Sequence, residues 1–276
     1  MPPKDFKIEA IFSVMVQSVS PVLNDPEIQR VMNVFVSNMH NVFCLGAVVP
    51  MFVAHSTFFA NAQCEARHKL KVDPDSPTTT EIMQESYRII CEFVKNPQYQ
   101  NRMHQTGLNN TKHLMDCYEG VFDGGMEAVL WAMITGSWTA FEVICEDLFK
   151  CATNARPAYF SGLKVGKPGF RSRKRIRESY EGWFQCDAGI QNSLSYPYVD
   201  ALALFRNVKV HKGGFADMEF ITEISKIPIV VTPARGLNDG DKIEMDGAIA
   251  RPLIAASIKS AESLAKSVDD WILSHP

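Results

Sequence analysis

Leu202-Ala203-Leu204-Phe205-Arg206-Asn207-Val208-Lys209-Val210-His211-Lys212-Gly213-Gly214 decides how this chain is read. Leu202, Phe205 and Val208 recur at three-residue steps, which lays an apolar stripe along one side of a helix. Gly213 and Gly214 supply the left-handed stop expected just past a helix end. His211 then falls in the last turn, where unpaired carbonyls favour a cation. Five residues of helix turn through about 500°, so Arg206 and His211 diverge by about 140°, whereas Asn207 and His211 share a face. One such helix converges Arg206 and His211 poorly. Two copies packed together, or a departure from helix near His211, would do better.

Outward from this stretch the patterning stays helical. Residues 5–19 and 27–39 carry apolar side chains at three- and four-residue steps, with Pro26 where a first helical turn accepts proline. Residues 73–77 form a turn cluster, and Thr78-Thr79-Thr80-Glu81 then suits a helix start, running to about Lys95 and stopping before Pro97. Three glycines in 120–125 mark an internal boundary. This predicts a helical N-terminal region over 1–125, of unassigned role, and a second domain over 126–276. Residues 126–151 read as a long apolar helix, and 153–170, with Pro157, Gly162, Gly166, Pro168 and Gly169, break regularity. Ile227-Pro228-Ile229-Val230-Val231 has the strongest strand-like signal, and Asp246-Gly247 is a hairpin turn pair. A small β-hairpin is therefore expected before a last helix. That helix should start near Arg251 or Pro252 and reach Leu273, with Ile254, Ile258, Ala261, Leu264, Val268 and Trp271 as its apolar stripe. The predicted fold class is all-α, a helical bundle with one minor hairpin.

The chain has 276 residues, 46% hydrophobic and 21% charged, a balance that excludes default disorder. Its formal net charge of −3 excludes a uniformly basic coat but not a local patch. Such a patch exists. Residues 161–177 hold Lys164, Lys167, Arg171, Arg173, Lys174, Arg175 and Arg177 with no acid, leaving −10 on the rest of the chain. It reads either as a solvated basic loop or as a footprint for a phosphate backbone, with Phe170 and Tyr180 as stacking surfaces. Seven scattered cysteines without a C-x-x-C pair fit reduced thiols, and with no secretory pattern at the start the expected location is cytoplasmic. Residues 31–64 carry no Asp, Glu, Lys or Arg, yet Gly46, Pro50 and His55 interrupt the run. A buried core helix is favoured over a membrane-associated segment.

The Arg206-Asn207-x3-His211 stretch resembles the R-x4-6-H motif of the HEPN superfamily (higher eukaryotes and prokaryotes nucleotide-binding), in which a polar residue commonly follows the Arg. The following Lys-Gly-Gly, the 139–150 helix and the Gly240-Asp241-Lys242-Ile243-Glu244 segment are similar too, so the resemblance spans roughly 126–274. It implies a metal-independent endoribonuclease with its site at a homodimer interface, leaving 2′,3′-cyclic phosphate ends, in a defence or toxin setting with an antitoxin or activating partner. Arg206, Asn207 and His211 would be catalytic, with Glu142, Glu146 and Lys150 as secondary candidates. Lys209 and Lys212 join the basic segment as candidate RNA contacts. The alternative is a non-catalytic HEPN-like module that binds RNA or a partner.

The chemistry is consistent with these residue types. A histidine titrates near neutral pH and can take the ribose 2′-OH proton or return one to the leaving 5′-oxygen. A guanidinium stays charged and grips phosphate oxygens through two parallel hydrogen bonds. Asn207 can orient either group through its amide. No cofactor is implied. Cys64-x3-His68 offers two potential metal ligands without a companion pair, and no P-loop, G-x-G-x-x-G or G-x-S-x-G is present.

Overall fold

The computed structural model describes residues 21–95, 121–227 and 236–275. It is built almost entirely from helices: α1 Pro26–Leu70, α2 Thr80–Val94, α3 Val121–Ala155, α4 Pro157–Ser161, α5 Arg173–Trp183, α6 Ala188–Leu194, α7 Pro197–Lys212, α8 Met218–Ser225 and α9 Gly247–Ser274. The expected helix over 5–19 lies outside the described residues. Two compact units divide the chain, Met1–Lys4 with Gly46–Gly125 and Asp5–Leu45 with Met126–Pro276. The change of unit at Gly125 involves no break, because α3 continues through Gly124 and Gly125.

In the first unit, Ala62 and Ala66 of α1 pack on Ile82 and Ile89 of α2, with Val72 and Ile90 at the margin. Arg67 Nη2 donates to Thr78 Oγ1 at 2.9 Å and so ties the turn back to α1. Phe59 and Tyr87 meet at 5.4 Å between ring centres.

The second unit carries the candidate site. Helix α9 packs against α6 and α7, α8 against α7, and α5 against α6. Leu202, Phe205 and Val208 are buried as the three-residue steps predict, and so is the whole Ile254–Trp271 stripe of α9. Phe205 meets Trp131 of α3 at 6.2 Å, and Gly136 lets α1 approach α3 so closely that a Cβ there would lie 2.9 Å from Val42. Asp269 on α9 is buried and accepts hydrogen bonds from the Asn24 and Asp25 backbone N–H groups, each at 2.8 Å, which seats the chain just ahead of α1.

Three expectations need correction. Asp246-Gly247 is not a hairpin turn: Asp246 Oδ1 accepts from Ile249 N–H at 2.8 Å and Gly247 opens α9. The last helix consequently starts before Arg251, with Pro252 inside it. A good N-cap aspartate outweighs the one main-chain bond that a proline in the second turn cannot donate. Of the hairpin, residues 228–235 lie outside the described set, and among the described residues extended pairing is limited to the single antiparallel bridge Phe215–Lys242. Tyr180 is likewise no stacking surface. It is fully buried, its hydroxyl donates to the Cys145 carbonyl at 2.7 Å, and it stacks on Phe184.

Among the described residues one helical segment, Gly124–Ala155, is long and apolar enough to cross a membrane, with 56% of its most apolar window buried inside the protein.

Candidate functional site

Helix α7 begins with Pro197 and Asp200 and ends on Gly213, whose φ of 69° is the left-handed cap that glycine adopts without strain. The Gly213 and Gly214 N–H groups close the helix on the Lys209 and Val208 carbonyls at 3.1 and 3.2 Å. The helix stays regular through Lys212, so within one chain Arg206 and His211 remain on different sides of it.

Arg206 is partly buried. Its Nη1 donates to Asn207 Oδ1 at 3.0 Å, while its buried Nε has no partner among the described residues. Glu142 of α3 lies within reach of its field. Burial pushes the Glu142 carboxyl above the usual range, and the Trp138 indole N–H and Arg206 guanidinium pull it back. Glu142 Oε1 is buried and also unpartnered among the described residues. Arg206, Asn207 and Glu142 thus form one polar group at the α3–α7 contact. His211 stands apart, exposed in the last turn and bonded to no described residue.

The secondary candidates separate. Lys150 lies 2.8 Å from Glu146 and 3.6 Å from Asp147 on the exposed face of α3, away from the Glu142–Arg206 group in the contacts they make. Glu146, besides pairing with Lys150, lines a cavity of about 740 Å³ with Lys167, Phe170, Arg171 and Arg175.

The basic segment is partly loop and partly helix. Ser172 caps α5, and the loop before it is pinned to that helix: Gly169 N–H donates to Ser179 Oγ at 2.8 Å and Trp183 Nε1 to Gly166 O at 3.1 Å. Lys164, Lys167, Arg171 and Arg175 are exposed and form no ion pair with a described residue; Lys174 is exposed 3.8 Å from Glu178. Arg173 and Arg177 turn inward onto one carboxylate, Asp200 of α7, with Arg177 Nη2 at 3.2 Å, and Arg177 also donates to the Leu194 carbonyl at 2.6 Å. Burial, then the neighbouring Arg177, push Arg173 down to about 10, against Glu223. Burial lowers Arg177 as well. Both remain cations at neutral pH. Lys209 lies 5.3 Å from the Trp131 ring centre and donates to Gly213 O, and Lys212 pairs with Asp217 at 3.4 Å.

Sequence reasoning missed Asp200. Its signal was available: it is the one acid between Asp187 and Asp217, in the first turn of the helix that carries Arg206. A groove of about 430 Å³ opens beside it, lined by residues of α5 and α7, Asn207 among them, and by Trp138 of α3. Among the described residues no three His, Cys, Asp or Glu side chains converge as a metal site would require.

No protein-family model, curated protein or solved structure matches the chain.

Proposed function

We propose that residues 126–274 act as a HEPN-like, metal-independent endoribonuclease domain. Arg206 holds the scissile phosphate, Asn207 and Glu142 set its geometry, and His211 moves the proton between the 2′-oxygen and the leaving 5′-oxygen. The reading includes a small hairpin before α9, a cytoplasmic location, and a defence or toxin setting with an antitoxin or activating partner. The observation that carries it is the end of α7: a half-buried Arg206 bonded to Asn207, and an exposed His211 in the last turn of a glycine-stopped helix.

A second copy completes the site in this proposal. A regular helix keeps Arg206 and His211 about 140° apart, so the pair has to be assembled across two chains. Val210, Phe215 and Met218, 51, 49 and 60% exposed, supply apolar surface close to His211 in sequence for that contact. The same separation favours a second reading for the chain on its own, a module that binds RNA without cutting it.

The test is incubation of the pure protein with mixed single-stranded RNA, with and without EDTA, followed by analysis of the new ends. The expected product carries a 2′,3′-cyclic phosphate. His211→Ala and Arg206→Ala should each slow cleavage by roughly 100-fold or more, the usual size of a lost acid–base or oxyanion contact. Cleavage that survives both substitutions moves the site elsewhere, and cleavage abolished by EDTA removes the metal-free mechanism. Binding without cleavage of any RNA selects the module.

A further inference from the structure

The groove beside Asp200 has an internal order that the cleavage chemistry does not use. One wall is α5, whose groove-lining residues run Arg173, Lys174, Arg177 and then Glu178, Glu181. All five line the groove, with the cations toward the N-terminal end of the helix and the acids following. The facing wall is α7, where Asp200, Ala203 and Asn207 recur at three- and four-residue steps. Trp138, Ala203 and Leu204 contribute the apolar lining.

The charges do not cancel evenly. Arg173 and Arg177 share the single carboxylate of Asp200, and Lys174 stands near Glu178. Arg171 pairs with no described residue and borders both this groove and the 740 Å³ cavity. The Arg173 Nε is buried and unpartnered among the described residues. The N-terminus of α5 adds its own positive potential at the same end. The end at Arg171 and the start of α5 therefore attracts an anion, apolar side chains line the groove beside it, and the carboxylates that follow along α5 are acceptors for N–H or O–H donors.

We infer that this groove seats one nucleoside phosphate unit, with its phosphate at Arg171 and the start of α5 and its base and sugar toward Leu204, Glu178 and Glu181. Because Asn207 lines the same groove, the seated unit sits next to the phosphate held by Arg206, and this part rests on the RNA-cleaving reading above. The groove thereby selects single strands, since a base stacked inside a duplex cannot enter it.

The experiment uses the full chain carrying His211→Ala, which leaves RNA uncut, and a short end-labelled single-stranded RNA followed by anisotropy. Adding Leu204→Trp puts bulk into the groove, and adding Arg171→Glu reverses the leftover cation. Each should weaken RNA binding by about tenfold or more, the worth of one charge-assisted contact. Arg171 is exposed, so its variant decides the matter if Leu204→Trp lowers the melting temperature. Competition with 5′-AMP, adenosine and inorganic phosphate tests the ligand class. AMP should displace RNA at lower concentration than either of its parts; phosphate as effective as AMP would overturn the nucleoside assignment. RNA binding more tightly than AMP identifies a strand as the source, and the reverse identifies a free nucleotide. Unchanged affinity in both groove variants overturns the inference even if the wild-type chain cuts RNA. Loss of affinity in both, in a wild-type chain that never cuts RNA, removes only the catalytic roles of Arg206 and His211.

Discussion

The two ends of α7 do opposite work. At its start, Asp200 is 13% exposed and held by two arginines from α5, and Val199, Ala201 and Leu202 beside it are buried. At its end, Val210, His211 and Lys212 are exposed, and the helix stops on a left-handed glycine. One helix thus has an anchored end that sets its position and an open end that presents chemistry. A histidine at the anchored end would lose solvent, and substrate with it. A helix without the anchor would let Arg206 drift from Glu142.

That contrast can be broken most sharply at the anchor. Asp200→Ala leaves two half-buried guanidinium groups sharing no carboxylate. Removing one partner of a buried pair costs about 3–5 kcal/mol, and partial exposure of the arginines brings the expectation to roughly 1–3 kcal/mol. Thermal denaturation should show a fall of roughly 3–8 °C. A change within a degree would mean that α7 is placed by its apolar stripe alone.

Glu142→Gln probes the middle of the helix contact with a smaller effect of opposite sign. Burial raises the Glu142 carboxyl in the folded state, so ionisation costs the native fold stability as pH rises past the unfolded value of about 4.3. The amide should therefore be more stable than wild type at neutral pH, by less than Asp200→Ala loses. The gain should disappear below about pH 4, where both forms are uncharged. A loss of stability at pH 7 would show instead that Arg206 needs the Glu142 charge more than burial resists it.

The open end should be the least sensitive of the three. His211→Ala should change stability by no more than about 0.5 kcal/mol, as for a surface substitution away from a buried network. A drop comparable with that of Asp200→Ala would place His211 in the framework and erase the contrast between the two ends.

Much of the helical unit was legible from residue order. The Leu202-Phe205-Val208 steps and the Gly213 stop are local signals, and they specify α7 and its end before any packing is known. The α9 stripe was legible for the same reason, but its start was not. Asp246-Gly247 serves a hairpin turn or an N-cap equally well, and the choice depends on whether the following residues find a core. Tyr180 beside a basic segment looked available for stacking, whereas it is buried against Phe149 and Cys145 of α3, distant in the chain, and Phe184.

Residue order alone establishes the predominantly helical character, the concentration of cations in 161–177 and the presence of Arg206, Asn207 and His211 on one glycine-stopped helix. Only the tertiary structure decided which of those charges are free. Spacing along a chain says which side chains share a helix face, but a cation is neutralised by whatever carboxylate the fold brings beside it. Asp200 lies 27 residues from Arg173 and 23 from Arg177, and the packing of α5 against its neighbours made it their partner, leaving Arg171 beside the groove.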